Sequence, residues 1–438
     1  MSAGSAGPAL GIDLGTSGCR VLAWDPARDA VLAQAEIPLP PPCREGEASE
    51  QDPEAWWAAL AEAVRALPQA VRQAVRRIAV DGTSGTLLLA DADGRPLAPA
   101  RLYDDARGRA ASRRIAAVAP AGSGAHGAGS SLAKLLVWLE EGLPAGTAQA
   151  LHPADWLTGR LTGLWGVADE NSALKLGWDP LRREWPAWLE ALAVPRRLLA
   201  RVEAAGKPLG PMDPAVAESL GLPRSAVVCA GTTDSVAGFL ATPASRPGDA
   251  VTSLGSTLAL KLLAPRPVFS PPHGVYSHRV GGLWLAGGAS NTGGAVLARF
   301  FDPHTLAALS ARIDPERPSG LDYYPLPAPG ERFPVADPRL PPRLDPRPAD
   351  DARFLHGLLE GITRIEAEGY RLLERLGAGA VRRVWTVGGG ARNPVWTRIR
   401  ARMLGVPVTA CPDAPAALGA ARLAAGRLPG CATAAPVP

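Results

Sequence analysis

The stretch Gly11-Ile12-Asp13-Leu14-Gly15-Thr16-Ser17-Gly18-Cys19-Arg20-Val21-Leu22-Ala23-Trp24-Asp25 decides the fold. It reads as an apolar strand, a tight polar turn and a second apolar strand. Glycine has no Cβ, so the turn's backbone N–H groups can face an anion at close range. Asp13 stands where a carboxylate can hold a cation beside that anion. No G-x-x-x-x-G-K-[ST] occurs, so a helix-opening phosphate loop is excluded and a phosphate-binding hairpin is the alternative. Read alone, the stretch is equally an ordinary β-hairpin with a glycine-rich turn.

A second stretch removes part of that ambiguity. Val251-Thr252-Ser253-Leu254-Gly255-Ser256-Thr257-Leu258-Ala259-Leu260-Lys261-Leu262 repeats the design, setting Leu254-Gly255-Ser256-Thr257 against Leu14-Gly15-Thr16-Ser17. Two such hairpins, roughly half a chain apart, predict duplicated domains whose hairpins close on one phosphate chain. We place the halves at 1–229 and 230–438, with Asp234 in the second.

Composition narrows the class. The chain has 438 residues, 47% of them hydrophobic and 20% charged, with a net charge of +4. That is enough to bury two or three cores and too mild a charge to suggest nucleic acid as a partner. The five cysteines are scattered with no C-x-x-C, which argues against a disulfide framework or zinc site and for a reducing cytoplasm. No apolar run reaches the ~20 residues of a membrane span. Met1–Pro8 lacks the basic and apolar regions of a signal peptide and reads as a loose leader.

Between the hairpins, Asp52-Pro53 opens a helix with Trp56, Trp57, Leu60, Val64 and Leu67 on its core side. Arg77 to Ala90 is again strand, Gly-Thr-Ser turn, strand. Tyr103-Asp104-Asp105-Ala106-Arg107 pairs hydrogen-bond acceptors with a forked donor, as a polyhydroxylated ligand requires, although a surface loop with a local ion pair has the same residues. Lys134 and Trp138 share a helix face. Gly231-Thr232-Thr233-Asp234 puts a carboxylate where a strand enters a helix, as a functional acid or a plain N-cap. In Gly388-Gly389-Gly390-Ala391-Arg392-Asn393-Pro394, backbone can approach a flat ligand, and Asn393-Pro394 starts a helix. Ala414 to Gly426 is an Ala-rich helix in which Gly419 permits close packing.

Together these segments resemble the FGGY family of carbohydrate kinases, in order and over nearly the whole chain. The resemblance implies an α/β fold of duplicated actin/hexokinase/Hsp70-like (ribonuclease H-like) ATPase domains with a cleft between them. It implies ATP and Mg²⁺ as cofactors and a small-molecule sugar as partner, in a cytoplasmic monomer or homodimer. Asp234 would be the catalytic base, and would also bind sugar and share the metal with Asp13. Gly15, Thr16, Ser17, Arg20, Gly255, Ser256 and Thr257 would bind ATP phosphates. Gly389, Gly390, Ala391 and Asn393 would bind adenosine. Asp81, Thr83, Tyr103, Asp105 and Arg107 would bind the sugar.

The stretches Asn171 to Asp179 and Leu321 to Leu326 resemble a compact branch associated with D-ribulose, so the expected activity is D-ribulose to D-ribulose 5-phosphate. D-xylulose or a polyol is the alternative acceptor, and an actin- or Hsp70-like ATPase without kinase activity the alternative class. The chain departs from the family pattern near its end, where the acid that the resemblance leads one to expect is displaced to Asp413.

Overall fold

The computed structural model describes residues 7–430, so most of the expected leader, and Cys431, lie outside the described residues. The chain forms two compact units. The first runs through Ala241 and takes back Arg279–Gly281 and the chain from Pro415 onward; the second holds Thr242–His278 and Gly282–Ala414. The division falls twelve residues later than the one set at 229/230 (241 − 229), and the C-terminal helix belongs to the first unit. Asp234 is therefore in the same unit as Asp13, not in the other one.

The first unit is built on β1 (Ala9–Leu14), β2 (Gly18–Asp25), β3 (Ala30–Pro38), β4 (Arg77–Gly82), β5 (Pro208–Pro211), β6 (Val227–Cys229) and the short β7 (Thr232–Thr233). The sheet order is β5-β6-β4-β1-β2-β3, with β7 also on β4. β1 pairs antiparallel with β2 and parallel with β4, in a register that sets Asp13 opposite Asp81. β7 extends the parallel side, Thr232 opposite Asp81. The two strands expected around the Gly-Thr-Ser turn at 82–86 do not pair with each other: β4 joins the main sheet, while Leu88–Ala90 pairs with Gln149–Leu151.

Helix α1 (Pro53–Ala66) starts as expected, with the Asp52 carboxylate accepting from the Glu54 N–H. Trp56, Leu60, Val64 and Leu67 are buried against the sheet, and Trp57 is half-buried at its edge. Of the later helices of this unit, α2 (Ser131–Glu141), α3 (Pro153–Thr162) and α4 (Asp234–Leu240) bear on the site.

The second unit repeats the plan. Its strands are β8 (Asp249–Leu254), β9 (Leu258–Ala264), β10 (Tyr276–Val280), β11 (Leu283–Ser290), β12 (Arg383–Val387) and β13 (Val408–Ala410), ordered β10-β11-β9-β8-β12-β13. As before, the hairpin is antiparallel and the next neighbour parallel. Ser253 and Val387 occupy the paired positions that Asp13 and Asp81 hold in the first sheet. The duplication thus extends to register, and the acids belong to one copy alone.

Helices α5 (Gly294–Ala298), α6 (Pro303–Ser310), α7 (Asp351–Leu373) and α8 (Pro394–Leu404) complete this unit. The long α7 packs Leu355, Leu358, Leu359, Ile362 and Ile365 into its core. The helix stops where Gly377 turns to φ 101°, a conformation that favours glycine.

The last helix, α9 (Ala416–Ala424), returns to the first unit and packs on α4 and β1. A Cβ at Gly419 would lie 1.8 Å from the Ala237 carbonyl oxygen, and one at Gly11 would lie 1.8 Å from that of Ala417. Backbone meets backbone at both points, so neither neighbour can move aside as a side chain would. Gly419→Ala is expected to cost about 2–3 kcal/mol through overpacking, read as a lower midpoint in urea with an unchanged slope.

Candidate functional site

Parallel strands present their carboxyl ends to ligands in sheets of this kind. In the first unit β1, β4 and β7 end together, bringing Asp13, Asp81 and Asp234 to one edge. Asp13 is 7% exposed and Asp81 fully buried. Burial raises the Asp13 carboxyl against the pull of Arg20. Burial also pushes Asp81 well above the usual carboxylate range, with the charges of Asp13 and Asp234 adding to it. The Asp13 and Asp81 carboxyls are within hydrogen-bonding reach of each other. Neither Asp81 oxygen, however, has a donor among the described residues. Only a shared proton or a cation satisfies two acceptors placed this way.

Asp234 is the first residue of α4, with Thr233 in the N-cap position. The N-cap alternative for Asp234 is thereby excluded. Its Oδ1 accepts from the Ser235 N–H at 2.6 Å, and the carboxylate is partly exposed. A partly exposed carboxylate at this place has the chemistry of a proton acceptor.

The β1–β2 turn closes with Gly15 N–H to Gly18 C=O at 3.0 Å, leaving Gly15, Thr16 and Ser17 partly or fully exposed. Arg20, expected on phosphate, is tied to Glu36 at 2.7 Å and to Asp13 at 3.5 Å.

The expected sugar residues divide. Asp105 is 1% exposed; it takes Arg107 through both oxygens and also the Ser49 N–H. Burial opposes its charge, but those donors outweigh burial and hold the carboxyl below its usual range. Glu50 accepts from the same guanidinium at 2.5 Å. Asp105 therefore positions Arg107, and the local ion pair is real. Tyr103 is exposed, and Thr83 Oγ1 is hydrogen-bonded to Thr86 Oγ1 at 2.9 Å. Asp81 faces Asp13 instead of an open surface.

Two lysines that carried no expected role come near each other in the first unit. Lys134 is fully buried, with Nζ on the Gly129 carbonyl at 2.9 Å. Lys175 Nζ reaches the Ser84 carbonyl at 3.1 Å. Burial, then Lys175, pushes the Lys134 ammonium down to about 7. The sequence signal was a lysine on the apolar side of α2.

In the second unit the β8–β9 turn closes with Gly255 N–H to Thr257 C=O at 3.2 Å. Ser256 and Thr257 are exposed. Gly388 approaches the Leu254 carbonyl so closely that a Cβ would lie 2.8 Å from it. The turn thus abuts the Gly389–Arg392 segment, and a cavity of about 770 Å³ opens there. Gly255, Ser256, Gly389, Gly390, Asn393 and Trp396 line it, with apolar residues of α5 and α6. Asn393 caps α8 through Trp396 N–H and donates to Ser310 Oγ at 2.9 Å. Ala391 is buried and not part of the lining; Arg392 is. The α5–α6 wall carried no motif and was missed in the sequence.

The N-terminal domain model of the FGGY family of carbohydrate kinases matches residues 9–241, and the C-terminal domain model matches 250–427. The chain belongs to the FGGY family of carbohydrate kinases. A xylulose kinase of Streptomyces coelicolor is 30% identical over 98% of this chain and 90% of its own length. One from Escherichia coli is 29% identical over 95% and 89%. The crystal structure of xylulose kinase from Rhodospirillum rubrum superposes with a TM-score of 0.83 at 25% identity, covering 95% of this chain and 89% of that one. This FGGY chain is thus a sugar kinase on the actin/hexokinase-like two-domain fold, in a family that uses ATP. Among the described residues no helix is long and apolar enough to cross a membrane.

Proposed function

We propose that this kinase transfers the γ-phosphoryl group of ATP to O5 of a ketopentose, D-xylulose first, giving the 5-phosphate and ADP. The observation that carries this reading is the grouping of Asp13, Asp81 and Asp234 at one sheet edge. The xylulose kinase names of similar proteins support the acceptor. D-Ribulose, the epimer at C3, is the second reading, favoured by the 171–179 stretch; one hydroxyl separates the two.

Asp234 takes the proton of the O5 hydroxyl as that oxygen bonds to the γ-phosphorus and the bond to the β-phosphate oxygen breaks. Phosphoryl transfer needs positioning, charge neutralisation and one base, so no covalent nucleophile is required. The exposed turns Gly15–Ser17 and Gly255–Thr257 supply backbone and hydroxyl donors to phosphate oxygens. The cavity of the second unit takes adenosine against its apolar wall. Arg20 acts through Asp13, to which it is already paired.

Asp13 and Asp81 fit a divalent cation, since the Asp81 oxygens have no other donor. Among the described residues no group of three His, Cys, Asp or Glu side chains can hold a metal ion. That suits Mg²⁺, which takes one or two carboxylates and completes its shell with phosphate and water. When bound, Mg²⁺ would neutralise phosphate charge.

A panel of kcat/KM values over D-xylulose, D-ribulose, xylitol, ribitol and glycerol tests the acceptor. A ketopentose is expected to lead. If glycerol or a pentitol led, the ketopentose assignment would be wrong.

A further inference from the structure

Lys175 sits on a 3₁₀ turn, Ala173–Leu176, and its ammonium comes to rest at the loop that follows β4. That loop begins just past Asp81, at the edge where the three acids gather. Gly85, with φ 96°, has no side chain there; a Cβ would lie 2.7 Å from the Gly129 carbonyl and 3.2 Å from Lys175 Nζ. The lysine therefore fills the space a side chain at position 85 would claim. Lys134, on the Gly129 carbonyl, stands behind it.

Neither lysine has a carboxylate within ion-pair distance among the described residues, and the acids acting on Lys134 from further off are Asp105 and Asp104. Asp105 is committed to Arg107, and Asp104 to Arg44 at 2.7 Å. An ammonium has three donors and no acceptor. Lys175 uses one of its donors, on Ser84. The loop that starts just past Asp81 thus has ammonium donors on it, Lys175 at Ser84 with Lys134 nearby.

A keto oxygen accepts and cannot donate, whereas a hydroxyl does both. We propose that Lys175 donates to the keto oxygen of the acceptor sugar, and that it makes the site select an open-chain 2-ketose over the corresponding pentitol. The proposal rests on the ketopentose reading above. Without the ammonium, the Ser84 carbonyl is freed; a pentitol hydroxyl can donate to it, but a keto oxygen meets only another lone pair.

The test compares D-xylulose with xylitol, and D-ribulose with ribitol, in the wild type and Lys175→Met. The variant is expected to raise the ketose KM roughly 10–100-fold, the loss of one charged hydrogen bond. The KM for ATP should be unchanged, and the ketose-to-pentitol ratio of kcat/KM should fall at least about tenfold. Lys175→Gln, which keeps an N–H donor, should retain much of the ratio, and serves if the methionine variant does not fold. An unchanged ketose KM, or equal losses on ketose and pentitol, overturns the proposal while leaving the kinase reading intact. Failure of the kinase reading is distinct: the wild type would then turn over no ketopentose, and both would fall.

Discussion

Asp234→Ala is expected to lower kcat by roughly 10²–10⁴-fold, the range for loss of a positioned general base, while ATP binding stays near the wild-type level. The side chain begins α4 and is partly exposed, so its removal opens no core cavity. The cavity of the second unit, proposed above for adenosine, includes no residue of this helix. The cost therefore falls on the chemical step, seen as a low kcat with little change in the ATP dissociation constant. Asp234→Asn keeps the shape and the Ser235 contact and should be almost as slow, because an amide does not accept the proton. A variant retaining most of its kcat would remove Asp234 from the role of base.

Arg400→Met is expected to cost about 3–5 kcal/mol of stability, the range for breaking a buried ion pair. Arg400 is 1% exposed and Glu366 fully buried. The guanidinium donates to both Glu366 oxygens, at 2.7 and 2.6 Å, and to Thr386 Oγ1. Glu366 also accepts from Thr252 Oγ1 at 2.5 Å. One pair thereby fixes α7, α8 and the two strands, β8 and β12, that lead into the β8–β9 turn and the glycine segment. Removing the arginine leaves a buried carboxylate with the Thr252 hydroxyl as its remaining donor among the described residues. The double variant Arg400→Met/Glu366→Leu should be more stable than Arg400→Met alone, since no uncompensated charge remains. Denaturant unfolding measures both. If the double variant lost the sum of two large single effects, packing rather than the charge pair would dominate.

Much of the fold was legible because hairpin and turn chemistry is local. Leu14-Gly15-Thr16-Ser17 and Leu254-Gly255-Ser256-Thr257 declare themselves by residue type, and Asn393-Pro394 declares a helix start by the same means. Register is not local. Nothing near Asp81 announces that β4 runs parallel to β1 with Asp81 beside Asp13. The unit boundary failed for a related reason. β7 and α4 follow β6 directly and stay with the sheet that β6 joins, while α9 returns across the length of the chain through the backbone contacts of Gly11 and Gly419. Asp105 matched a sugar-binding pattern, yet its role depends on Ser49 and Glu50, more than fifty residues away. Lys134 illustrates the reverse case: its residue type on an apolar face was visible, but not the second ammonium, that of Lys175, that comes near it.

The acceptor role of the acid edge is tested most directly by ADP release from Mg²⁺-ATP, with and without D-xylulose or D-ribulose, and the product examined by ³¹P NMR. The account predicts ketopentose-dependent ADP release with a 5-phosphate monoester formed in equal amount. Release that no sugar raises above the basal rate would contradict it.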